Sequence, residues 1–115
     1  MDDMAEVSAA LPKTRIYSCC NCKNLIAFHN QIIPGDFQGR HGSAFLFSHA
    51  MNIRLGRSRH RKLTTGEYIL ADIYCEDCNS LLGWKFLLAE DDSEKYKEGN
   101  FLLDTSKVAE VEDED

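Results

Sequence analysis

Two Cys-x2-Cys pairs constrain this chain more than any other feature of its sequence. The first pair is Cys19 and Cys22, and the second is Cys75 and Cys78. This spacing lets two thiolates bind one tetrahedral metal ion, with the ion about 2.3 Å from each sulfur. Two such pairs complete a closed four-cysteine site. We therefore predict one structural zinc ion that ties the early part of the chain to its later half.

Length and composition favour one small folded domain inside the cell. The chain has 115 residues, of which 43% are hydrophobic and 28% charged, which is typical of a globular protein. No apolar run approaches the roughly 18 residues that span a bilayer, and the chain begins with acidic residues. We expect a nuclear or cytoplasmic protein with no membrane partner. Thiols stay reduced in the nucleus and cytoplasm, so we expect the cysteines to be metal ligands rather than disulfides.

The two ends of the chain look different from its centre. Residues 1–14 lack periodicity and contain Pro12, which predicts a flexible N-terminal segment. Residues 107–115 end in the run Glu110-Val111-Glu112-Asp113-Glu114-Asp115, which predicts a flexible acidic tail. The zinc-binding domain is accordingly expected to comprise residues 15–106.

The central segment is predicted to be mainly β, with few or short helices. Short β-favouring runs enter and leave each cysteine pair. Apolar residues alternate after the second pair, which predicts one buried strand face carrying Leu82, Trp84, Phe86 and Leu88. One helical turn is expected near residues 94–97. Asp92 or Ser93 would cap it, Gly99 would end it, and a strand would return at Phe101.

Aromatic residues of the central strands have two interpretations. They could line a ligand groove, since aromatic faces attract cations, or they could simply form the core. The groove candidates are Trp84, Phe86, Phe45, Phe47 and Tyr74. The histidines His29, His41 and His49 are expected to be surface or packing residues, because four cysteines already satisfy zinc.

A basic segment lies in the middle of an otherwise acidic chain. Five of the 13 basic residues fall within nine positions, and they are Arg54, Arg57, Arg59, Arg61 and Lys62. The segment could contact an acidic protein surface or phosphate, or serve as a nuclear import signal, or form a solvated hairpin loop. The net charge of -6 and the lack of interleaved aromatics predict that any nucleic-acid binding is weak and salt-dependent.

The fifth cysteine, Cys20, is the one candidate nucleophile. It lies between Cys19 and Cys22, whose negative charge as metal-bound thiolates would lower its reactivity. No plausible base accompanies it in the sequence. We expect no enzymatic activity and treat a role in methionine sulfoxide reduction as a minor alternative.

Several motifs spread over residues 15–104 give the chain a specific resemblance. They are Tyr17-Ser18-Cys19-x2-Cys22, Gly42-x-Ala44-Phe45-Leu46-Phe47, Asn52, Thr65-Gly66, Ala71-Asp72-Ile73-Tyr74-Cys75-x2-Cys78, Gly83-Trp84-Lys85-Phe86 and Lys95-Tyr96-Lys97-Glu98-Gly99. With these motifs the chain resembles the Yippee-like proteins. It departs from them in Tyr68, where relatives often carry histidine, in Cys20, and in its more basic segment from Arg54 to Lys62.

The resemblance implies both a fold and a range of functions. The implied fold is a β-tent, in which two antiparallel sheets meet at an angle with the zinc at their junction. It is related to the ligand-binding domain of cereblon and to zinc-containing methionine sulfoxide reductases. The cereblon cage uses three tryptophans, whereas this chain has only Trp84. Yippee-like proteins are nuclear or cytoplasmic, are tied to growth and division, and in some cases associate with a multisubunit ubiquitin ligase.

These observations together predict a noncatalytic, zinc-stabilised protein-interaction module. The expected role is that of a regulatory subunit or adaptor, with ubiquitin-ligase subunits among its candidate partners. A nucleic-acid-associated zinc protein that uses the basic segment is the main alternative. The sequence leaves the partner and the oligomeric state open.

Overall fold

A computed structural model describes residues 15–112 of the chain. Within these residues it contains two antiparallel β-sheets and two short 3₁₀ helices, which confirms the prediction of a mainly β fold. The strands are β1 (Arg15–Cys19), β2 (Leu25–Phe28), β3 (Ile32–Gly39), β4 (Gly42–Phe47), β5 (Ile53–Leu63), β6 (Gly66–Cys75), β7 (Leu81–Ala89), β8 (Phe101–Asp104) and β9 (Val108–Glu112). The helices are η1 (His29–Gln31) and η2 (Asp92–Lys97). The predicted flexible segment 1–14 lies outside the described residues.

The strands divide into a small sheet and a large sheet. The small sheet has the order β2-β1-β9, and the large sheet has the order β3-β4-β8-β7-β6-β5. One cysteine turn joins β1 to β2, and the other joins β6 to β7. Each sheet therefore contributes one Cys-x2-Cys pair, and the pairs can meet only where the sheets meet.

One hydrophobic core lies between the two sheets. The small sheet contributes Tyr17, Ile26 and Val108, and the large sheet contributes Phe47 and Leu103. The first cysteine of each pair, Cys19 or Cys75, is also buried in this core. The core at the sheet junction and the cysteine site therefore share Cys19 and Cys75.

A second core covers the opposite face of the large sheet. Its buried members include Leu46, Tyr68, Trp84, Phe86 and Leu102. Strand alternation explains the division, because neighbouring side chains along β4 and β8 point to opposite faces. Each face of the large sheet consequently has its own buried layer.

The predicted single apolar face of β7 is wrong at two positions. Leu82 belongs to the core between the sheets, whereas Trp84 and Phe86 belong to the second core. Leu88 is 39% exposed. The register of β6 against β7 shifts twice, once near each end, and such irregularities reverse the face on which side chains lie.

The predicted helical turn is present as η2, and the chain returns as β8 after Gly99. The predicted cap is wrong. Asp91 precedes the helix, and its side chain makes no capping hydrogen bond. Gly99 has a φ of +82°, a left-handed conformation that glycine adopts without strain.

The predicted flexible tail from residue 107 is wrong for most of its length. Strand β9 pairs with β1 in a continuous antiparallel register from Arg15 opposite Glu112 to Cys19 opposite Val108. Val108 is buried, and Glu110 forms an ion pair with Arg15. Opposite charge and an apolar anchor thus order a segment that its acidic composition suggested was solvated. Residues 113–115 lie outside the described part.

Truncation tests this assignment of β9. Removing residues 108–115 should lower the free energy of unfolding by about 2 kcal/mol or more, because it exposes the core that Val108 covers. Removing residues 113–115 alone is the matched control and should change it little. Urea denaturation followed by tryptophan fluorescence measures both effects. Equal stability of the two truncated forms would contradict the structure.

Candidate metal centre

The two cysteine turns have the same backbone structure. Cys19 ends β1 and Cys75 ends β6, and each is followed by a turn that carries the second cysteine of its pair. The amide of Lys23 donates to the carbonyl of Cys19 over 2.8 Å, and the amide of Asn79 donates to that of Cys75 over 2.8 Å. Lys23 and Asn79 both have a positive φ, near +70° and +67°. Each sheet therefore presents its two thiols from an equivalent turn.

The four thiols converge to the spacing that one metal ion requires. Sγ of Cys19 lies 3.6 Å from Sγ of Cys78, and Sγ of Cys22 lies 3.5 Å from Sγ of Cys75. All four sulfurs lie within 4.8 Å of one another. A tetrahedral ion with bonds of about 2.3 Å sets its ligand sulfurs about 3.8 Å apart. The donor set and its geometry therefore fit a single four-coordinate metal ion, and the predicted convergence of these cysteines is confirmed.

Hydrogen-bond donors surround the sulfur atoms. Burial opposes ionisation of Cys75, but the amides of Cys78 and Asp77 and the side chain of Asn24 outweigh it and leave the pKa of Cys75 lowered. The side-chain nitrogen of Asn24 lies 3.7 Å from that sulfur. Donors of this kind stabilise thiolates and orient them toward a bound cation.

The second cysteines of the two pairs respond oppositely to their surroundings. The Ser80 hydroxyl, which shares a hydrogen bond with Cys78 Sγ over 3.2 Å, and the Asn21 side chain lower the pKa of Cys78 to about 6. The amide of Asn24 lowers the pKa of Cys22, but burial and the neighbouring thiols raise it to about 12. Four clustered sulfurs thus resist complete ionisation by themselves, and a divalent cation between them would remove that resistance.

Asn24 and Ser80 are functional residues that the sequence analysis missed. Each stands two positions after the second cysteine of its pair, and its carbonyl accepts a hydrogen bond from the amide of the first cysteine. Their side chains contact Cys75 and Cys78, respectively. The signal that could have found them is this matched position after each motif.

Cys20 lies on the outside of the first turn. It is exposed, and its amide donates to the carbonyl of Lys107 over 3.0 Å. It borders an open hollow of about 300 Å³, together with Ser106 and Lys107. The structure therefore separates Cys20 from the cluster formed by the other four cysteines.

The predicted aromatic groove is wrong as a single site. Phe45 and Phe47 pack with Tyr17 in the core between the sheets, with ring centroids 5.2 Å from that of Tyr17 in both cases. Tyr74 lies beneath the guanidinium of Arg54, 4.7 Å from ring centroid to Cζ. Trp84 and Phe86 belong to the second core, so Phe45 and Phe47 lie on the opposite face of the large sheet from them.

Trp84 and Phe86 do share a cavity of about 390 Å³. Phe37, Leu102 and Lys97 also line it. Lys97 is buried, and its ammonium lies 2.8 Å from the Glu94 carboxylate and 3.1 Å from the Tyr68 hydroxyl. The positive charge of Lys97 at the cavity wall is thus already paired with the Glu94 carboxylate.

The basic segment is a β-strand, so the alternative of a solvated hairpin loop is wrong. It forms most of β5, which pairs with β6. Arg59 donates to both carboxylate oxygens of Asp72, at 2.9 and 3.0 Å. Residues 57–62 are all exposed.

The histidines of the sequence analysis do not join the thiol cluster. Nδ1 of His29 lies 3.0 Å from the Tyr17 hydroxyl, and Nδ1 of His49 lies 2.9 Å from the Ser48 hydroxyl. His41 is exposed at the turn between β3 and β4.

No helix among the described residues is long and apolar enough to cross a membrane.

Fold and site together define a class of small β proteins in which two sheets meet at a four-cysteine centre. The family model described as "Yippee zinc-binding/DNA-binding /Mis18, centromere assembly" matches residues 15–113. A yippee-like protein of Arabidopsis thaliana is 54% identical over 94 residues, which cover 82% of this chain and 89% of that protein. Human protein yippee-like 4 is 43% identical over 94 residues, covering 82% of this chain and 74% of that protein.

The chain belongs to the Yippee family. Its fold is also that of the crystal structure of the Mis18 "Yippee-like" domain, with a TM-score of 0.72 over 89% of this chain and 99% of that one. The two sequences are 12% identical, so this likeness concerns the fold alone. The family match extends past residue 106 and includes β9.

Replacing Asn24 or Ser80 tests the polar surroundings of the cluster. Asn24→Ala and Ser80→Ala should each weaken metal binding by about tenfold or more, because a thiolate loses a hydrogen-bond donor. Ser43→Ala is the matched control, since that hydroxyl contacts Thr105 on the surface. Competition with a chromogenic chelator measures the affinity. Unchanged affinity in both variants would show that these side chains do not support the site.

Proposed function

We propose that this protein is a noncatalytic protein-interaction module whose fold is held by one zinc ion. The observation that carries the proposal is the convergence of Cys19, Cys22, Cys75 and Cys78 from two different sheets. Four thiolates in tetrahedral arrangement are the donor set of structural zinc sites. Such a site is closed, so the ion would contribute stability and leave no coordination position for a substrate.

The proposed zinc acts on the sheet junction. Cys19 belongs to the small sheet and Cys75 to the large sheet, so binding one ion to both pairs fixes the sheets relative to each other. Structural zinc contributes roughly 10–16 kcal/mol of apparent binding free energy at neutral pH. Typical domains have a total stability of about 5–15 kcal/mol. Folding of this chain would therefore depend on the metal.

The proposed role is that of a regulatory subunit or adaptor in the nucleus or cytoplasm. The resemblance to Yippee-like proteins supports this role, including assembly with growth and division factors or ubiquitin-ligase subunits. The rigid frame presents a continuous basic strand, β5, on its surface, and such a strand can serve as a recognition surface. Cys20, the one cysteine outside the cluster, is exposed on a turn, which suits an incidental residue rather than a nucleophile.

Affinity purification from cells tests the adaptor role. The protein and its Cys20→Ser variant should recover the same partners, because Cys20 lies outside the thiol cluster. Cys75→Ser should lose those partners, because it removes a proposed zinc ligand and with it the fold. Quantitative mass spectrometry compares the three sets.

Two results would contradict the proposal. Recovery of the same proteins with Cys75→Ser would show that binding does not need the folded module. Methionine sulfoxide reduction by the protein that disappears in Cys20→Ser would favour the reductase alternative instead.

A further inference from the structure

Strand β5 is an open edge of the large sheet. It stands last in the strand order and pairs with β6 on one side. No other strand within residues 15–112 pairs with its outer side. Alternate residues of such a strand direct their amide and carbonyl groups outward, where they can pair with a further strand. At 11 residues β5 is also longer than the five or six residues that are usual for a strand.

One face of this edge carries unbalanced positive charge. Arg59 and Arg61 lie opposite Leu70 and Tyr68 in the register, so both belong to the same face. Asp72 accepts hydrogen bonds from Arg59 and from Arg40, whose guanidinium is 3.3 Å away. The single carboxylate of Asp72 is thus paired with two guanidinium groups, which leaves an excess of positive charge. Among the described residues, neither Arg57 nor Arg61 forms an ion pair.

The opposite face of the same strand is balanced. Nε2 of His60 lies 3.0 Å from a carboxylate oxygen of Glu67 and 3.9 Å from one of Glu90. Lys62 stands directly across from Glu67 in the register. Positive charge therefore predominates only on the face that carries Arg59 and Arg61.

We infer that the outer edge of β5 binds an acidic, extended segment of a partner protein. This inference rests on the proposed function and names the surface and the chemistry of the partner. The segment adds to the large sheet as a further antiparallel or parallel strand, and its backbone pairs with the outward amides and carbonyls of β5. Its Asp and Glu side chains face Arg59 and Arg61, and Arg57 adds positive charge two positions earlier, at the register irregularity of β5. These arginines supply the selectivity for acidic sequences.

Charge distinguishes this occupant from a second copy of the chain. Pairing β5 with β5 would place arginines of two copies beside one another, and like charges across neighbouring strands destabilise the pair. Basic side chains on an edge strand thus discourage self-association while they attract an acidic strand. The same residues therefore select against one partner and for the other.

Nucleic acid fits the edge less well. A phosphate backbone crossing the strand would approach Glu67 and Glu90 beside His60. The exposed residues 57–62 include no Phe, Tyr or Trp side chain on which a base could stack. The whole chain has a net charge of -6, which opposes wide contact with phosphate.

The test uses zinc-loaded protein and a fluorescent nine-residue peptide of alternating Glu and Val. We expect measurable binding by fluorescence anisotropy at low salt and no binding of the matching Lys and Val peptide. Arg57→Glu combined with Arg61→Glu should weaken binding by roughly tenfold or more. Arg57→Lys combined with Arg61→Lys is the matched control, because it keeps the charge and should retain most of the affinity. Hydrogen exchange should show new protection in β5.

Backbone pairing is tested separately from charge. A peptide with methylated amide nitrogens at its four central residues keeps the acidic side chains but cannot donate to β5 from those residues, so it should bind far more weakly. Equal binding of the methylated peptide would overturn strand addition. Unchanged binding by the Arg57→Glu, Arg61→Glu variant would overturn the acidic-protein assignment. Displacement of the peptide by a 20-nucleotide single strand that binds more tightly would overturn it as well.

Failure of this inference is distinguishable from failure of the proposed function. If the cellular partners remain bound to the Arg57→Glu, Arg61→Glu variant but not to Cys75→Ser, the module binds proteins through another surface. In that case the edge assignment is wrong and the adaptor role stands. If the unaltered protein recovers no specific partner, the adaptor role itself is wrong.

Discussion

The meeting of two cysteine turns at the sheet junction is the constraint on which this structure depends. Each sheet buries one cysteine in the core that lies between them, and the second cysteine of each pair follows in an equivalent turn. Within residues 15–112 the β2-β1-β9 sheet has three strands, and its buried apolar residues all belong to the core that it shares with the large sheet. Its attachment therefore depends on the shared core and on the proposed ion, both of which involve Cys19 and Cys75. Loss of either cysteine would affect both at once.

Much of the site was predictable from the sequence because its signal is local. The spacing of Cys19 with Cys22, and of Cys75 with Cys78, determines the turn and the direction of the thiols within a few residues. The short strands on either side were predictable for the same reason. The approach of the two pairs follows from tetrahedral coordination, although it depends on contacts across more than 50 residues of sequence.

Errors arose where cross-strand register decides the outcome. Leu46, Leu102 and Trp84 lie in one row across β4, β8 and β7, and this row places Trp84 on the opposite face from Phe47. Residue types alone do not reveal that row, so the proposed groove combined residues from both faces. Strand β9 was missed because its acidic composition suggested solvation, whereas its pairing depends on β1, which lies more than 85 residues earlier.

In this fold the large sheet can pair with a further strand only along its outer strands. Both faces of the large sheet are covered by buried layers, so its exposed backbone pairing groups lie at the outer strands. On β5 these groups coincide with the excess of arginine, which gives the edge both directional bonding and charge selectivity. A metal-held junction would keep this edge in one position relative to the small sheet. A partner strand would then pair with it at a lower entropic cost than with a mobile strand.

Hydrogen exchange before and after chelation tests the central claim most directly. The account predicts one zinc per chain by native mass spectrometry, and it predicts that removal of the zinc abolishes amide protection in β1, β2 and β9 and in the β6–β7 hairpin together. Adding zinc back should restore protection in both sheets. A metal-free protein that keeps native protection at the sheet junction would contradict the account.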